Sequence, residues 1–307
     1  MSALQDLLHR QGFAILDGGL ATELERHGAD LHDPLFSGKI LLESPELVER
    51  VNYDYFVAGA DVGVTVSYQL TLPGLLEKGF SEAEAEAVLR ESIAVTRRAA
   101  ARVPRTGLLI AASVGPYGAY LHDGSEYRGD YRLSNSEFKE FHRPRLAILA
   151  SCEPDVIAFE SIPNVHEAEA LAELMSEFPN LPAWLSFTCK DAVHISDGTA
   201  FREAVAAVEG FPQIAAVGLN CTAPRHVSNL LKLAATATKK PLVAYPNSGE
   251  CFFPDSGIWG STSELGIIEH AAADWFQCGA RLIGGCCRTT PETIRAIRIA
   301  VARAALC

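Results

Sequence analysis

No apolar run in this chain approaches the length needed to cross a membrane. Met1 to Arg10, which carries Gln5, Asp6, His9 and Arg10, has no apolar core of an export signal. Positive charge is also short: 26 Lys and Arg stand against 38 Asp and Glu, a net charge of −12. A phosphate-rich partner would meet a repulsive field over most of the surface, so neither nucleic acid nor a membrane is expected as a partner. Low-complexity linkers are missing too, and residues 1–307 read as a single domain. Cysteine is present eight times. With no export signal expected, these residues read as thiols in a reducing cytoplasm, some structural and some metal-binding.

With 48% hydrophobic residues, the chain has ample material for a large core. Short β-rich runs, each followed by a longer stretch of helical pattern, recur from end to end. They are Phe13 to Leu16, Asp61 to Ser67, Leu108 to Ser113, Asp155 to Glu160, Ala183 to Thr188, Ile214 to Asn220, Leu242 to Tyr245 and Arg281 to Gly285. About eight such units predict an α/β fold, a single-domain (β/α)8 TIM barrel. Helix starts support the count. Ser81 with Glu84, Ser134 with Glu137 and Ser261 with Glu264 have capping-box spacing, and Thr290 followed by Pro291 is an N-cap with proline at the first helical position. A doubly wound sheet would usually carry a glycine-rich phosphate loop after strand one, and Asp17-Gly18-Gly19-Leu20-Ala21-Thr22 is not GxGxxG. Two connections are long, Gly115 to Leu133 and Pro246 to Ser263. At the C-terminal face of a barrel such loops are expected to cover a substrate.

The chemistry collects where strands end. Val217-Gly218-Leu219-Asn220-Cys221 closes one strand and Arg281-Leu282-Ile283-Gly284-Gly285-Cys286-Cys287 another. Neighbours on a regular strand point to opposite faces, so Cys286 and Cys287 can reach one ion only if the strand breaks into a loop, which the preceding glycines permit. Each cysteine taken singly reads as a small core hydrophobe. Together, Cys221, Cys286 and Cys287 read as three thiolate ligands of Zn2+ with a fourth position open. Three thiolates make the metal a poor activator of water, which disfavours hydrolysis. A coordinated alkyl thiol, in contrast, is deprotonated outright, removing roughly 2 kcal/mol of ionisation cost at pH 7. Such a nucleophile suits attack on a positively charged alkyl donor. His226 is the nearest candidate for a fourth protein ligand. Cys152, Cys189, Cys251, Cys278 and Cys307 have no such partners and read as structural or surface thiols.

The ordered set of motifs resembles the homocysteine S-methyltransferase family over essentially the full length. Its members carry sequences similar to Leu16-Asp17-Gly18-Gly19-Leu20-Ala21-Thr22-Glu23-Leu24, Thr65-Val66-Ser67-Tyr68-Gln69, Phe159-Glu160-Ser161-Ile162-Pro163-Asn164 and Tyr245-Pro246-Asn247-Ser248-Gly249-Glu250, besides the two cysteine motifs. Ser113-Val114-Gly115-Pro116-Tyr117-Gly118-Ala119-Tyr120, continued by Asp123-Gly124-Ser125-Glu126-Tyr127, looks like the branch that uses S-methylmethionine. The resemblance implies transfer of a methyl group from S-methylmethionine to homocysteine, giving methionine, with S-adenosylmethionine as a second, weaker donor.

It also implies the site. Glu160 would accept the homocysteine ammonium, and its alternative is a strand-end carboxylate bonded to loop amides. Asp17 matches a substrate-site position. Gly18 and Gly19 would offer backbone N–H groups to the substrate carboxylate, or else simply form a tight turn. Tyr68 would stand near the metal's open position or the donor, and otherwise is a packing residue at a strand end. Asn220 would orient the loop or the substrate, and Asn247 is a donor-site candidate. Phe36 occupies a position where relatives often show tryptophan. Two other readings stay open: a metal-binding sensor on a barrel that has lost catalysis, and a thiol oxidoreductase using Cys286 and Cys287, although adjacent cysteines close only a strained ring. The oligomeric state is left open.

Overall fold

The computed structural model describes residues 2–253, 258–260 and 263–306. Eight parallel strands form one sheet: β1 (Ala14–Ile15), β2 (Val62–Val64), β3 (Leu109–Val114), β4 (Val156–Ile162), β5 (Ala183–Phe187), β6 (Ile214–Asn220), β7 (Leu242–Tyr245) and, after a short antiparallel hairpin of β8 (Cys251–Phe253) and β9 (Ile258–Gly260), β10 (Ala280–Ile283). Their order is β1-β10-β7-β6-β5-β4-β3-β2. A bridge from Leu16 to Val62 and a bond from Asp17 N–H to the Val62 carbonyl bring the two edges together, so the sheet wraps into a (β/α)8 barrel as expected.

Strand residues alternate between two apolar layers. Ala14, Leu16, Val62, Leu109, Ala111, Val156, Ala158, Trp184, Ala216, Val243, Tyr245 and Leu282 fill the interior, small residues making room for the Trp184 and Tyr245 rings. Ile15, Ile110, Ala112, Ile157, Phe159, Leu185, Val217, Leu219, Ala244 and Ile283 face outward into the larger helix-covered core. With water excluded from both faces, the strands are apolar throughout. Helix α1 (Ala3–Gln11) brings Leu4 and Leu7 into the same interior cluster as Val62, Leu109 and Val156, which lie at the starts of β2, β3 and β4, and so stoppers the N-terminal mouth. Each of those leucines contributes about 1.5–3 kcal/mol by leaving water. The opposite mouth is left for the site.

The helices follow their signals. Capping boxes at Ser81, Ser134 and Thr290 start α6 (Glu82–Ala101), α8 (Asn135–Ser151) and α13 (Pro291–Ala304). Ser261 lies outside the described residues, and Glu264 is the N-cap of α12 (Leu265–Gln277) without a side-chain cap. More helix stands between the strands than one per unit. Three helices, α2 (Leu20–Arg26), α3 (Ser37–Glu43) and α4 (Pro45–Ala58), join β1 to β2, and α5 (Leu72–Glu77) precedes α6. The Gly115 to Leu133 connection carries its own short helix α7 (Tyr117–Leu121) and a 3-10 turn at Ser125–Tyr127, and the described part of the Pro246 to Ser263 connection carries the hairpin. Helices α9 (Val165–Leu174), α10 (Phe201–Ala207) and α11 (Pro224–Ala234) cover the remaining strands. The strand expected over Asp61 to Ser67 stops at Val64. There the Thr65 and Ser67 hydroxyls bond each other and Ser67 Oγ donates to the Ser113 carbonyl, replacing ladder bonds with side-chain ones and turning the chain so that Tyr68 leaves the strand. Among the described residues no helix is long and apolar enough to cross a membrane.

Candidate active site

The C-terminal mouth holds a cavity of about 300 Å³. Cys221 follows the last residue of β6, and Cys286 and Cys287 lie in the loop after β10, where Gly284 and Gly285 have already broken the strand. All three Sγ atoms fall within 4.8 Å of one another, Cys221 and Cys287 being 3.6 Å apart. The end of β7, which lies between β6 and β10, sets this spacing. The Tyr245 carbonyl accepts from Cys221 N–H at 3.2 Å and the Pro246 carbonyl from Cys286 N–H at 2.8 Å. Bonds of about 2.3 Å to a tetrahedral zinc place sulfurs about 3.8 Å apart, so the trio fits such an ion with small side-chain adjustment. His226 sits in the first turn of α11, outside the cluster and the cavity lining. Hydrogen bonds from Cys286, Cys287 and Tyr127 hold Cys221 well below the ordinary thiol range, while the other two thiols are pushed up by a neighbour that has already ionised. A bound cation would reverse that second effect.

Of the six described non-glycine residues with positive φ, four line this cavity: Phe36, His122, Ser161 and Cys221. Strain of this kind persists where the surroundings over-determine it. Asn220 supplies part of that determination. Its Oδ1 accepts from Ser161 N–H at 2.7 Å and Ser186 Oγ at 2.8 Å, and its Nδ2 donates to Ser161 Oγ at 2.8 Å and Cys286 Sγ at 3.8 Å. One side chain thus ties the end of β4 to the cysteine loop.

Glu160, at the end of β4, faces the cavity and is bonded by Ser113 Oγ. Burial pushes its carboxyl up to about 7 against the opposing hydrogen bonds of Ser113 and Tyr245. Asp17 is close enough to feel the Glu160 charge. Its own pKa is raised, chiefly by burial, although its Oδ2 accepts the Val64 N–H at 2.7 Å. Two buried carboxyls sharing one wall are costly when ionised, and a cation between them would relieve both.

One of the two glycines differs from expectation. Gly19 N–H donates to Thr289 Oγ1 at 3.1 Å, so only the Gly18 N–H remains for a ligand carboxylate. What requires glycine here is close packing against protein. A Cβ on Gly18 would stand 2.6 Å from the Tyr55 ring, and one on Gly19 2.7 Å from the Cys286 carbonyl. Tyr68 lines the cavity, and its hydroxyl donates to Glu126 Oε2 at 2.9 Å. Asn247 does not line it. Its Oδ1 accepts Gly249 N–H at 2.9 Å and its N–H reaches the Thr222 carbonyl, so it shapes the connection after β7. Phe36 is on the wall. Cys152 and Cys278 are half-buried and Cys189 buried, all three free thiols away from the trio, while Cys307 and the Cys251 side chain lie outside what the structure describes.

Ser113, Glu126, Tyr127 and Tyr245 also line the cavity, although the motifs that contain them assign them no individual role. Ser113 and Tyr245 had a usable signal, since each stands at or near the C-terminal end of a barrel strand. Glu126 and Tyr127 reach the cavity through the fold of the connection after β3. A buried network fixes that connection. Arg145 Nη2 donates to the Gly115 carbonyl at 2.8 Å and to His142 Nδ1 at 2.9 Å, which places the imidazole proton on Nε2, facing Glu167 Oε1 at 2.7 Å. Glu167 also accepts Tyr117 N–H at 2.6 Å and the Tyr131 hydroxyl.

A family model described as homocysteine S-methyltransferase matches residues 14–301. The homocysteine S-methyltransferase YbgG of Bacillus subtilis (strain 168) is 46% identical over 305 residues, 97% of each chain. Crystal structures of the homocysteine methyltransferase MmuM from Escherichia coli superpose with TM-scores of 0.89 for its oxidized form and 0.87 for its metallated form, each at 45% identity and covering 97% of this chain and 99% of that one.

Proposed function

The chain belongs to the homocysteine S-methyltransferase family and is a methyltransferase acting on homocysteine, and on that premise we propose that it takes the methyl group from S-methylmethionine, with S-adenosylmethionine as a second donor, at a zinc site formed by Cys221, Cys286 and Cys287. The observation that carries the reading is the meeting of three cysteine sulfurs within 4.8 Å on the wall of a cavity that also presents Glu160 and Asp17. Held by Cys221, Cys286 and Cys287, zinc would supply the Lewis acidity that favours the ionised form of the substrate thiol at neutral pH. The existence of a metallated form of the E. coli MmuM supports a bound metal in this chain.

The protein's own groups then do the positioning. Glu160 and Asp17 receive the homocysteine ammonium, and the Gly18 N–H faces its carboxylate. Asn220 holds Ser161 and the Cys286 loop in register. Tyr68, anchored on Glu126, walls the donor side. Methyl transfer from sulfonium to thiolate annihilates charge, so a protein-lined cavity favours it by withdrawing solvation from both reactants. Alignment of the two sulfurs supplies much of the remainder, and no base need act on the methyl group. The domain spanning 1–307 binds homocysteine within this one barrel, and its thiol ligands suit the cytoplasm.

The test is a methyl-transfer assay with S-methylmethionine, S-adenosylmethionine and betaine, run on the zinc-loaded protein and on Cys287→Ser. The variant is expected to lose metal and activity together. Full activity without metal, or preference for betaine over the sulfonium donors, would refute the proposal.

A further inference from the structure

Among the described residues, the cavity wall contains four carboxyl side chains, Asp17, Asp33, Glu126 and Glu160, and no lysine or arginine. Three of the four have an occupation. Asp33 is paired with Lys78 Nζ at 2.7 Å, and Asp17 and Glu160, which feel each other's charge, are assigned above to an ammonium. Glu126 stands apart from that pair. It sits in the 3-10 turn Ser125–Tyr127, its Oε2 receives the Tyr68 hydroxyl, and its charge is felt at Cys287 and that of Cys221 at Glu126. Its side chain is half-buried and lines the cavity, and burial pushes its pKa up to about 7. A carboxyl so placed, with one neutral hydroxyl donor, is costly to ionise unless the ligand brings a cation.

We propose that Glu126 is the counter-charge for the cationic methyl donor, and therefore the residue that makes this cavity select a sulfonium over the corresponding neutral thioether. The assignment rests on the sulfonium-donor reading above and extends it to one side chain. The location suits the reaction, because the donor sulfur must lie within a methyl's reach of the thiolate seated at Cys221, Cys286 and Cys287. Tyr68 and Tyr127, which line the same side, can also offer ring faces to a cation. In the transfer the S–CH3 bond of the donor breaks, its electron pair stays on the donor sulfur, and the methyl forms a new bond to the homocysteine sulfur. The donor leaves as a neutral thioether and the nucleophile becomes one. The attraction of Glu126 is thus strongest for bound donor and fades as the methyl moves, which assists binding and product release and does not lower the chemical barrier.

The experiment uses the full-length, zinc-loaded protein and Glu126→Gln, which keeps an acceptor oxygen for Tyr68 and removes only the charge. The KM for S-methylmethionine is expected to rise by about tenfold or more, as for one lost charge contact in a site of intermediate dielectric. The homocysteine KM stays within about twofold and kcat is unchanged or higher, a split that loss of a purely structural contact would not produce. Glu126→Asp should recover much of the donor affinity. Wild-type protein should also bind S-methylmethionine at least about tenfold more tightly than methionine by calorimetry, a readout independent of whether any variant folds. An unchanged donor KM in Glu126→Gln, or equal wild-type affinity for the two compounds, overturns the assignment. Wild-type protein that forms no methionine from homocysteine and S-methylmethionine would instead overturn the donor reading itself.

Discussion

Glu160→Gln isolates the charge that the ammonium site depends on. Without substrate, burial holds this carboxyl up at about 7 rather than the 4.5 of a solvated glutamate. At about 1.4 kcal/mol per pKa unit, burial penalises its ionised form in the free protein by about 3 kcal/mol. A bound ammonium offsets that cost, and truncating one partner of a buried charge pair loses about 2–5 kcal/mol. Because Asp17 remains on the same wall, the low end applies, and the homocysteine KM should rise about 30- to 100-fold. The pH dependence has a definite sign. Below pH 7 the free carboxyl is protonated and must give up its proton to receive the ammonium, so the wild-type homocysteine KM should fall as pH rises toward 7 and flatten above it; Glu160→Gln should lack that slope. Stability moves the other way. A carboxyl whose folded pKa lies above its unfolded value binds more protons when folded, so stability is lost as pH rises from 4.5 through 7. Glutamine escapes this loss, and the variant without substrate should melt at or above the wild-type temperature at pH 8. Initial rates over a homocysteine series from pH 6 to 8, with metal content checked at each pH, measure the first effect; thermal unfolding measures the second. A variant whose KM stays within about threefold of wild type, with the same pH slope, would refute the role given to Glu160.

Two further substitutions probe what holds the site in place. Gly218 pairs with Val243 across β6 and β7, and a Cβ there would stand 2.0 Å from the Val243 carbonyl oxygen. Gly218→Ala must therefore push the strands apart just before Cys221, and should cost about 1–3 kcal/mol of stability and on the order of 100-fold in kcat/KM, with metal loss seen by elemental analysis; normal metal content and activity would show that the cysteine spacing does not depend on this contact. Glu167→Ala would leave His142, Tyr117 N–H and Tyr131 without their acceptor in a fully buried place. Unfolding should become easier by about 3–5 kcal/mol, with a raised donor KM because the connection carrying Glu126 is released, and a loss below about 1 kcal/mol in denaturant titration would refute the anchoring role.

The order of strands and helices was written in local pattern. Period, capping boxes at Ser81, Ser134 and Thr290, and apolar strands are short-range properties, so they survive in a linear reading. The cysteine motifs were legible for the same reason, since Gly284 and Gly285 announce the break that lets Cys286 and Cys287 share a target. The sequence by itself therefore determined the barrel, its chemistry-bearing rim and the three thiols. Tertiary structure alone decided which groups the rim turns inward. Gly19 spends its N–H on Thr289, which is 270 residues away. Asn247 caps its own turn instead of facing the cavity. Glu126 enters the site because an arginine, a histidine and a glutamate from α8 and α9 pin the connection that carries it. Such choices depend on partners that meet only when the sheet closes, and no window of neighbouring residues contains them.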